Sequence, residues 1–341
     1  MISPSLARSK LEYWNKRLNV ANKKMEANNG HLRQSELWER EYFEAPYLTF
    51  ASDEYIAERM IDHFHNNVRL TSKGKLSIRS VRFDQSSHIL LPLFTHLNLE
   101  FSIRGGLPTD ILSKSNEALE KYFVNGTPTG VRLFNGQPET IANVIVKFGK
   151  KQHLEPMLSQ GRLRLTPANF YSNGSLLKAM QDLETERWFH DPQFTLALKG
   201  QKTAKLGGYE VELEDGFFKI PYSCPEYLLW SACNDIDRRL PDDFSADAAL
   251  IIKSPQKFVA RLKECIAKSM PNTPTWFGNV TYYDPCSFID MKRRPETIKH
   301  FSFLYQQEWR FCSFPPENQM PTEPIEISVG SLDDIAELLT L

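Results

Sequence analysis

The chain has 341 residues with a formal net charge of −1, and 41% of its residues are hydrophobic and 24% charged. This length supplies one large or two ordinary domains, and the near-neutral charge excludes a general electrostatic preference for nucleic acid. No uncharged apolar stretch reaches the about 18 residues that a membrane helix needs, and the N-terminus lacks the apolar segment of a secretory signal. We therefore expect a globular, cytoplasmic protein without membrane contact.

The spacing of the cysteines and histidines does not indicate a disulfide framework or a metal site. The five cysteines are odd in number and show no CxxC spacing, whereas disulfide-rich domains and zinc sites use paired or closely spaced cysteines. The eight histidines form no HxxxH or HExxH pattern. The sequence predicts neither disulfides nor a bound metal.

Residues 1–140 are predicted to form a mainly helical region. Apolar residues recur at three- and four-residue spacing from Leu11 to Met25, which predicts a first helix that ends at "NNGH". Further helices are predicted in "RQSELWEREYFE", after the N-cap residue Ser52, and in "TDILSKSNEALEKYF". The segment "KLSIRSVRF" alternates between polar and apolar residues, as in an exposed strand.

Two basic runs lie within this helical region. Residues 1–30 hold six basic side chains against Glu12 and Glu26, and "VRLTSKGKLSIRSVRF" holds five basic side chains and no acid. Such runs usually lie on solvated faces, but they are also typical of surfaces that bind nucleic acid or protein. We expect residues 1–140 to select a target or partner.

Residues 141–341 are predicted to form an α+β domain. Strands are predicted in "NVIVKFG", "RLRLTP", "EYLLWSAC", "DAALIIKS", "GNVTYYD" and "PIEISVG". Helices are predicted in "KKQHLEPMLSQ" with Gly161 as its left-handed terminator, in "LLKAMQDLETERWFH", after Ser254, and after a capping box at Ser331 and Asp334. This irregular order, without a GxGxxG motif, disfavours a Rossmann fold.

The late segment "FSFLYQQEWRFCSF" places three polar side chains on one predicted strand face. Gln306, Glu308 and Arg310 are two residues apart, so they share a face, while Trp309 and Phe311 point to the opposite, inward face. An ion pair between Glu308 and Arg310 on a protected edge strand is one explanation. A ligand site is the other.

A separate group of acids is predicted to be solvated. Asp182, Glu184 and Glu186 fall on one flank of the predicted helix "LLKAMQDLETERWFH". Charged groups on a helix flank usually face water.

Five motifs together resemble a known family. "VKFGKKQHLEPMLSQGRLRL", "PANFYSN", "LLWSAC", "YYD" and "YQQEWRF" follow one another in an order that resembles an uncharacterised bacterial family often linked to abortive-infection defence. The order is also similar to that of ADP-ribosyltransferases, in which a basic residue, a serine and a Q/E-x-E motif on successive strands bind NAD. The resemblance covers about residues 144–330 and implies a split β-sheet core.

The resemblance implies roles for seven residues. Lys147, with Gly149 at the end of the same strand, would bind a phosphate or ribose of NAD, and Ser231 would bond the ribose. Asn169 and Tyr171 would contact the nicotinamide, although turn chemistry also explains Asn169 and a strand hydroxyl also explains Ser231.

The remaining two residues would act on the reaction itself. Glu308 would stabilise the ribose as it becomes cationic, and Gln306 would orient the acceptor. Relatives more often have Glu at the position of Gln306, and many have Arg or His at that of Lys147.

The expected function is therefore ADP-ribosyl transfer from NAD to a protein or nucleic-acid acceptor, by a toxin or phage-defence effector. NAD glycohydrolase activity, with water as acceptor, is a close alternative. A non-catalytic module that binds nucleic acid or protein through the basic N-terminal runs is an alternative from another class.

Overall fold

Helices make up most of the N-terminal 140 residues, as the sequence predicts. The computed structural model describes residues 4–79, 85–193, 199, 201–206, 209–214, 216–287 and 293–341. The helices of this region are α1 (Pro4–Ala27), α2 (Gln34–Glu44), α3 (Asp53–Asn67), α4 (Gln85–Ile103), α5 (Thr109–Glu120) and α6 (Thr129–Leu133). A short hairpin joins β1 (Val68–Leu70) to β2 (Leu76–Ile78). The exposed strand predicted from "KLSIRSVRF" is thus confirmed at β2, and its residues 80–83 lie outside the described residues.

Local capping and long-range packing both stabilise the helices. The hydroxyl of Ser52 accepts a hydrogen bond of 3.1 Å from the backbone N–H of Tyr55, which confirms Ser52 as the N-cap of α3. Trp14 of α1 and Leu97 of α4 belong to one buried cluster with Phe301 from the C-terminal part. The apolar stripes of the helices therefore pack against later residues as well as against each other. A domain boundary at residue 140 stays a prediction.

The C-terminal part is organised by antiparallel sheets, which together with the helices make a mixed α+β fold. Its strands are β3 (Ile145–Gly149), β4 (Arg162–Pro167), β5 (Glu186–Pro192), β6 (Thr203–Leu206), β7 (Tyr209–Glu214), β8 (Phe217–Ser223), β9 (Leu228–Cys233), β10 (Ala248–Ile252), β11 (Thr275–Asn279), β12 (Thr281–Tyr283), β13 (Ile298–His300), β14 (Glu308–Ser313), β15 (Ile325–Ser328) and β16 (Ala336–Thr340). The main sheet has the order β11-β14-β9-β3-β10-β16, and β4 joins β9 to β15. A second sheet has the order β5-β8-β7-β6, and β12 pairs in parallel with β13.

The main sheet divides along one edge of β9. The other edge of β9 pairs with β14 over its whole length. On the divided edge, Leu228 and Leu229 pair with β4, whereas Cys233 pairs with β3. Between these pairs, residues 230–232 have no strand partner on this edge among the described residues. A gap therefore opens between β3 and β4 in the middle of the sheet.

Helices cover both faces of the main sheet. α7 (Lys151–Gln160) and α9 (Pro255–Ser269) pack on one face, and α8 (Leu240–Asp243) packs on the other, where Leu240 shares a buried cluster with Val146 and Ile251. Leu154 of α7 and Phe258 of α9 share a buried cluster with Trp230, Trp309 and Phe311 of the sheet. This packing fixes which face of β14 is apolar, and it leaves the other face to Glu308 and Arg310.

Two helix predictions are wrong, because strand pairing determines the structure in both places. Glu186–Pro192, predicted as the end of a helix, form β5 and pair with all of β8, and the preceding residues 173–185 form a loop with turns. The final residues Ala336–Thr340 pair with β10 instead of extending a helix. Ser331 does accept a bond of 3.2 Å from the backbone of Asp333, but this bond closes a turn. Long-range pairing thus outweighs local propensity.

The late strand begins later than predicted. Phe301–Gln306 form a 3₁₀ helix, and Gln307 ends it in the left-handed conformation with φ of 48°. The strand starts only at Glu308. From Glu308 onward the predicted alternation is confirmed, since Trp309 and Phe311 enter the apolar cluster and Arg310 does not.

Gly161 offers a test of the helix-to-strand connection after α7. Its φ is 64°, and a Cβ there would lie 2.0 Å from the carbonyl oxygen of Gly330. Gly161→Ala should therefore cost more than the about 1–2 kcal/mol of left-handed strain alone, because the backbone around Gly330 must also move. Urea unfolding measures this.

Gly126→Ala is the matched control. Gly126 has φ of 86° and no atom within 4 Å of its Cβ position, so that variant carries only the strain. Equal losses of unfolding free energy in the two variants would contradict the close contact between the two turns.

Candidate active site

Glu308 and Arg310 lie in the interior of the main sheet. β14 is flanked by β11 and β9, so the interpretation as an edge strand is wrong. Glu308 is 6% exposed and Arg310 is fully buried. Buried charges are costly unless they are paired and hydrogen-bonded. Their partners therefore decide what this face of the sheet can do.

Arg310 joins two buried carboxylates. Its Nε donates to Glu308 Oε1 at 2.6 Å, and its two terminal nitrogens approach the oxygens of Glu184 at 2.7 and 2.9 Å. This two-pronged pairing uses the planar geometry of the guanidinium. Arg310 also donates to the backbone carbonyl of Glu296 at 3.1 Å. Every terminal nitrogen of Arg310 is thus engaged.

Lys299 of β13 provides the second cation for Glu308. Its Nζ donates to Glu308 Oε2 at 2.6 Å and to Gln306 Oε1 at 3.1 Å, and it is 5% exposed. Sequence reasoning missed Lys299, since "TIKHF" carries no pattern that separates it from a surface lysine. Its proximity to Glu308 arises only from the tertiary fold.

The acids that were predicted to be solvated belong to this network. Glu184 is 3% exposed and pairs at 3.0 Å with Arg187 as well as with Arg310, and Asp182 pairs at 3.1 Å with Arg187. The expectation of a solvated helix face is wrong for both residues, because the segment is a loop leading into β5. Glu186 is only partly buried. The two-residue alternation of buried Arg187 and Phe189 is the signal that favours a strand.

The network holds Glu308 in its ionised form. Burial alone would raise the pKa of Glu308, but the charges of Arg310 and Lys299 outweigh burial and lower the pKa to about 2. Burial raises the pKa of Glu184 despite Arg310. In the ion pairs of this cluster, three carboxylates (Asp182, Glu184 and Glu308) meet three cations (Arg187, Lys299 and Arg310). When all six groups are ionised, the cluster is therefore neutral as a unit.

A cavity of about 170 Å³ lies beside this cluster. Its wall includes six of the seven residues that the family resemblance singles out: Lys147, Gly149, Tyr171, Ser231, Gln306 and Glu308. These residues come from β3, β9, β14 and the 3₁₀ segments Ala168–Ser172 and Phe301–Gln306, so residues distant in sequence meet in one place. Ser231 is the cross-strand partner of Arg310 and lies in the unpaired stretch of β9.

Lys147 reaches into the gap between β3 and β4. Its ammonium donates to the backbone carbonyl of Ser231 at 2.5 Å and lies 5.2 Å from the ring centroid of Trp230. Burial lowers the pKa of Lys147, against the opposing effects of Cys233 and Glu308. Among the described residues, no carboxylate oxygen lies within 4.0 Å of its Nζ. Lys147 is thus a cation in excess of the neutral cluster.

Gln306 lines the cavity, whereas Asn169 lies outside it. The Nε2 of Gln306 donates to the backbone carbonyl of Ala179 at 2.8 Å, while its Oε1 accepts from Lys299. Gln306 therefore holds the loop of residues 173–185 over the cavity. Asn169 is exposed and does not line the cavity, and its backbone N–H donates to Glu226 at 2.9 Å.

Several basic residues of the N-terminal runs have acidic partners. Lys10 pairs with buried Glu100 at 3.1 Å, and Arg79 pairs with Asp237 at 2.6 Å. Arg82 of the second run lies outside the described residues. These pairs reduce the free positive charge that the runs present.

No family model, curated protein or solved structure matches the chain. The site is therefore interpreted from its own geometry. None of the described helices combines the length and apolar composition needed to cross a lipid bilayer.

The depressed pKa of Glu308 predicts a pH-dependent difference between the wild type and Glu308→Gln. A carboxyl with a folded-state pKa of about 2, against 4.5 ordinarily, stabilises the fold fully above pH 4.5, and this stabilisation disappears as the pH falls toward 2. The unfolding free energy of the wild type should therefore fall relative to the variant by about 3 kcal/mol over this interval. Urea unfolding across the pH series measures it.

Glu326→Gln removes an exposed carboxylate of β15 and should give a curve parallel to that of the wild type. A gap between the wild type and Glu308→Gln that stays constant from pH 5 to pH 2 would show that Glu308 does not carry the depressed pKa.

Proposed function

We propose that the chain cleaves the nicotinamide–ribose bond of NAD, as an ADP-ribosyltransferase-like enzyme. The observation that supports this proposal is the shared cavity at the gap in the main sheet. Lys147, Ser231 and Glu308 come from three different strands, and each was singled out by its place in the motif order. No single strand would bring these three residues together. Their position around one cavity depends on the arrangement of all three strands.

The state of Glu308 suits the proposed chemistry. As the bond to nicotinamide breaks, the ribose becomes cationic, and a fixed anion beside it lowers the barrier. Glu308 stays ionised because Arg310 and Lys299 hold it, and the same two bonds fix its position without reorganisation. Each carboxylate oxygen keeps a further lone pair for a ribose hydroxyl.

The charge and size of the cavity suit one end of a dinucleotide. Lys147 adds one positive charge to a neutral cluster, which favours an anionic ligand. The volume of about 170 Å³ is below the about 300 Å³ that whole ligands commonly occupy. The cavity would therefore take the nicotinamide and its ribose, with Tyr171 as an aromatic wall, while the phosphates remain nearer the opening.

One observation favours water as the acceptor, which would make the protein an NAD glycohydrolase. Both ends of the Gln306 amide are already bonded, to Lys299 and to Ala179. Gln306 is then not free to orient a macromolecular acceptor unless the 173–185 loop moves. Transfer to a protein or nucleic acid would require that movement, whereas hydrolysis would not.

Labelled NAD tests the proposal and separates the two outcomes. Incubation with cell extract should release nicotinamide, with label retained on protein or nucleic acid if transfer occurs and in free ADP-ribose if hydrolysis occurs. Glu308→Gln should lower the rate at least 100-fold, since removing one stabilising group commonly costs 10²–10³.

Glu326→Gln is the matched control, because it makes the same chemical change on an exposed strand. Circular dichroism should confirm that both variants are folded. Folded Glu308→Gln protein with wild-type turnover would refute the catalytic role. Salt-dependent nucleic-acid binding without NAD turnover would favour the non-catalytic alternative.

Lys147 should set the alkaline limit of the reaction. Its pKa is lowered from 10.5, so its charge disappears at a lower pH than that of an ordinary lysine, and turnover should decline there. Lys147→Arg stays charged throughout, and the decline should move to higher pH. Lys151→Arg, an exposed lysine of α7, should leave the profile unchanged. Identical profiles for all three proteins would contradict a role for the charge of Lys147.

A further inference from the structure

A second and larger depression lies on the apolar face of the main sheet. It has a volume of about 780 Å³ and is bordered by residues 141–145, Asn234, Asp235, α9 and the end of β11. We refer to it as the amide groove. Trp309 forms part of its wall, whereas its neighbour Glu308 lines the smaller cavity. The two depressions therefore lie on opposite sides of β14.

Amide side chains converge on this groove. They are Asn143, Asn234, Gln256, Asn279 and Gln307. Within the described part of the chain, none of their side-chain amides has a hydrogen-bond partner. Asn234 and Gln307 are half-buried, so their donors and acceptors face a confined space instead of open solvent. Each amide offers a donor and an acceptor side by side.

The rim of the groove carries unusual backbone conformations. Asn143 has φ of 59°, Gln307 has φ of 48° and Gly278 has φ of 151°. Non-glycine residues rarely adopt positive φ, and such residues cluster at ligand sites and switch regions. At Gln307, this conformation turns the side chain into the groove while Gln306 and Glu308 face the other cavity.

The wall also contains an aromatic ring, a cation and the carboxylate of Asp235, whose Oδ1 accepts hydrogen bonds from the backbone N–H groups of Ile141 and Ile236 at 3.0 and 2.8 Å. Phe277 is 38% exposed, and the ammonium of Lys263 lies 5.0 Å from its ring centroid. A flat exposed ring stacks with nucleobases, amides pair with base edges, and a nearby cation binds phosphate. The volume lies within the about 300–1,000 Å³ of ligand pockets.

We infer that the amide groove binds a nucleobase-bearing phosphate ligand, either a free nucleotide or an unpaired stretch of nucleic acid. A neutral sugar would use the amides and Phe277 but not the charge of Lys263. The inference goes beyond the proposed function and does not depend on it, because no described residue lines both the amide groove and the Glu308 cavity.

Binding measurements on the full chain test this inference. Calorimetry with the four common nucleoside monophosphates, and fluorescence anisotropy with labelled eight-nucleotide DNA and RNA, distinguish the two sources of the ligand. Phe277→Ala should weaken binding at least 10-fold, because stacking carries much of the affinity, and Asn279→Ala should weaken it and change the base preference. Both side chains are exposed, so both variants should fold.

Phe170→Ala is the matched control, since Phe170 is 37% exposed and also has a cation, Arg164, 5.7 Å from its ring centroid. It should bind as the wild type does. Glu308→Gln should also bind normally, which separates this site from the NAD cavity. Binding of the monophosphates or of the oligonucleotides alone would each support the inference. Absence of both, equal binding by Phe277→Ala, or equal binding of a neutral oligosaccharide would overturn it.

Discussion

The pairing of Arg310 with two buried carboxylates is the constraint on which the site depends. A guanidinium that is fully buried in the middle of a sheet is tolerable only if its nitrogens are engaged, and Glu308 and Glu184 engage them. The two buried carboxylates require further cations in turn. Glu184 also pairs with Arg187, and Glu308 also pairs with Lys299. Electrostatic compensation therefore draws together β5, β13 and β14, which belong to three separate sheets.

The sequence predicts the elements of this site better than their arrangement. The alternation in "EWRF" places Glu308 and Arg310 on one face, because that alternation is a local property of strands. The strands of Lys147 and Ser231 and the left-handed Gly161 are likewise readable from local patterns. The burial of Glu184 and the approach of Lys299 are not, since both depend on contacts between residues more than a hundred positions apart or on loop paths. The same limit explains β16, where pairing with β10 outweighs a good capping sequence.

The left-handed Gln307 shows why a motif can be identified although its secondary structure is wrong. A continuous strand would place Gln306 and Glu308 on one face by simple alternation. The structure instead ends a 3₁₀ helix at Gln307 and begins β14 one residue later, and Lys299 contacts both flanking side chains. The two-residue spacing of Gln306 and Glu308 is thus compatible with a continuous strand and with a 3₁₀ helix followed by a strand. In the structure, the two side chains contact the same partner, Lys299.

The divided edge of β9 has a consequence for how this sheet responds to an occupant. Among the described residues, no neighbouring strand pairs with Ser231 on this edge, and the ammonium of Lys147 donates to its carbonyl instead. An anion that attracts this ammonium competes with the carbonyl of Ser231 for the same N–H donors. A bound anion would then weaken the contact between β3 and β9. The side chain of Lys147 can therefore either bind the anion fully or hold the two strands together fully, but not both at once.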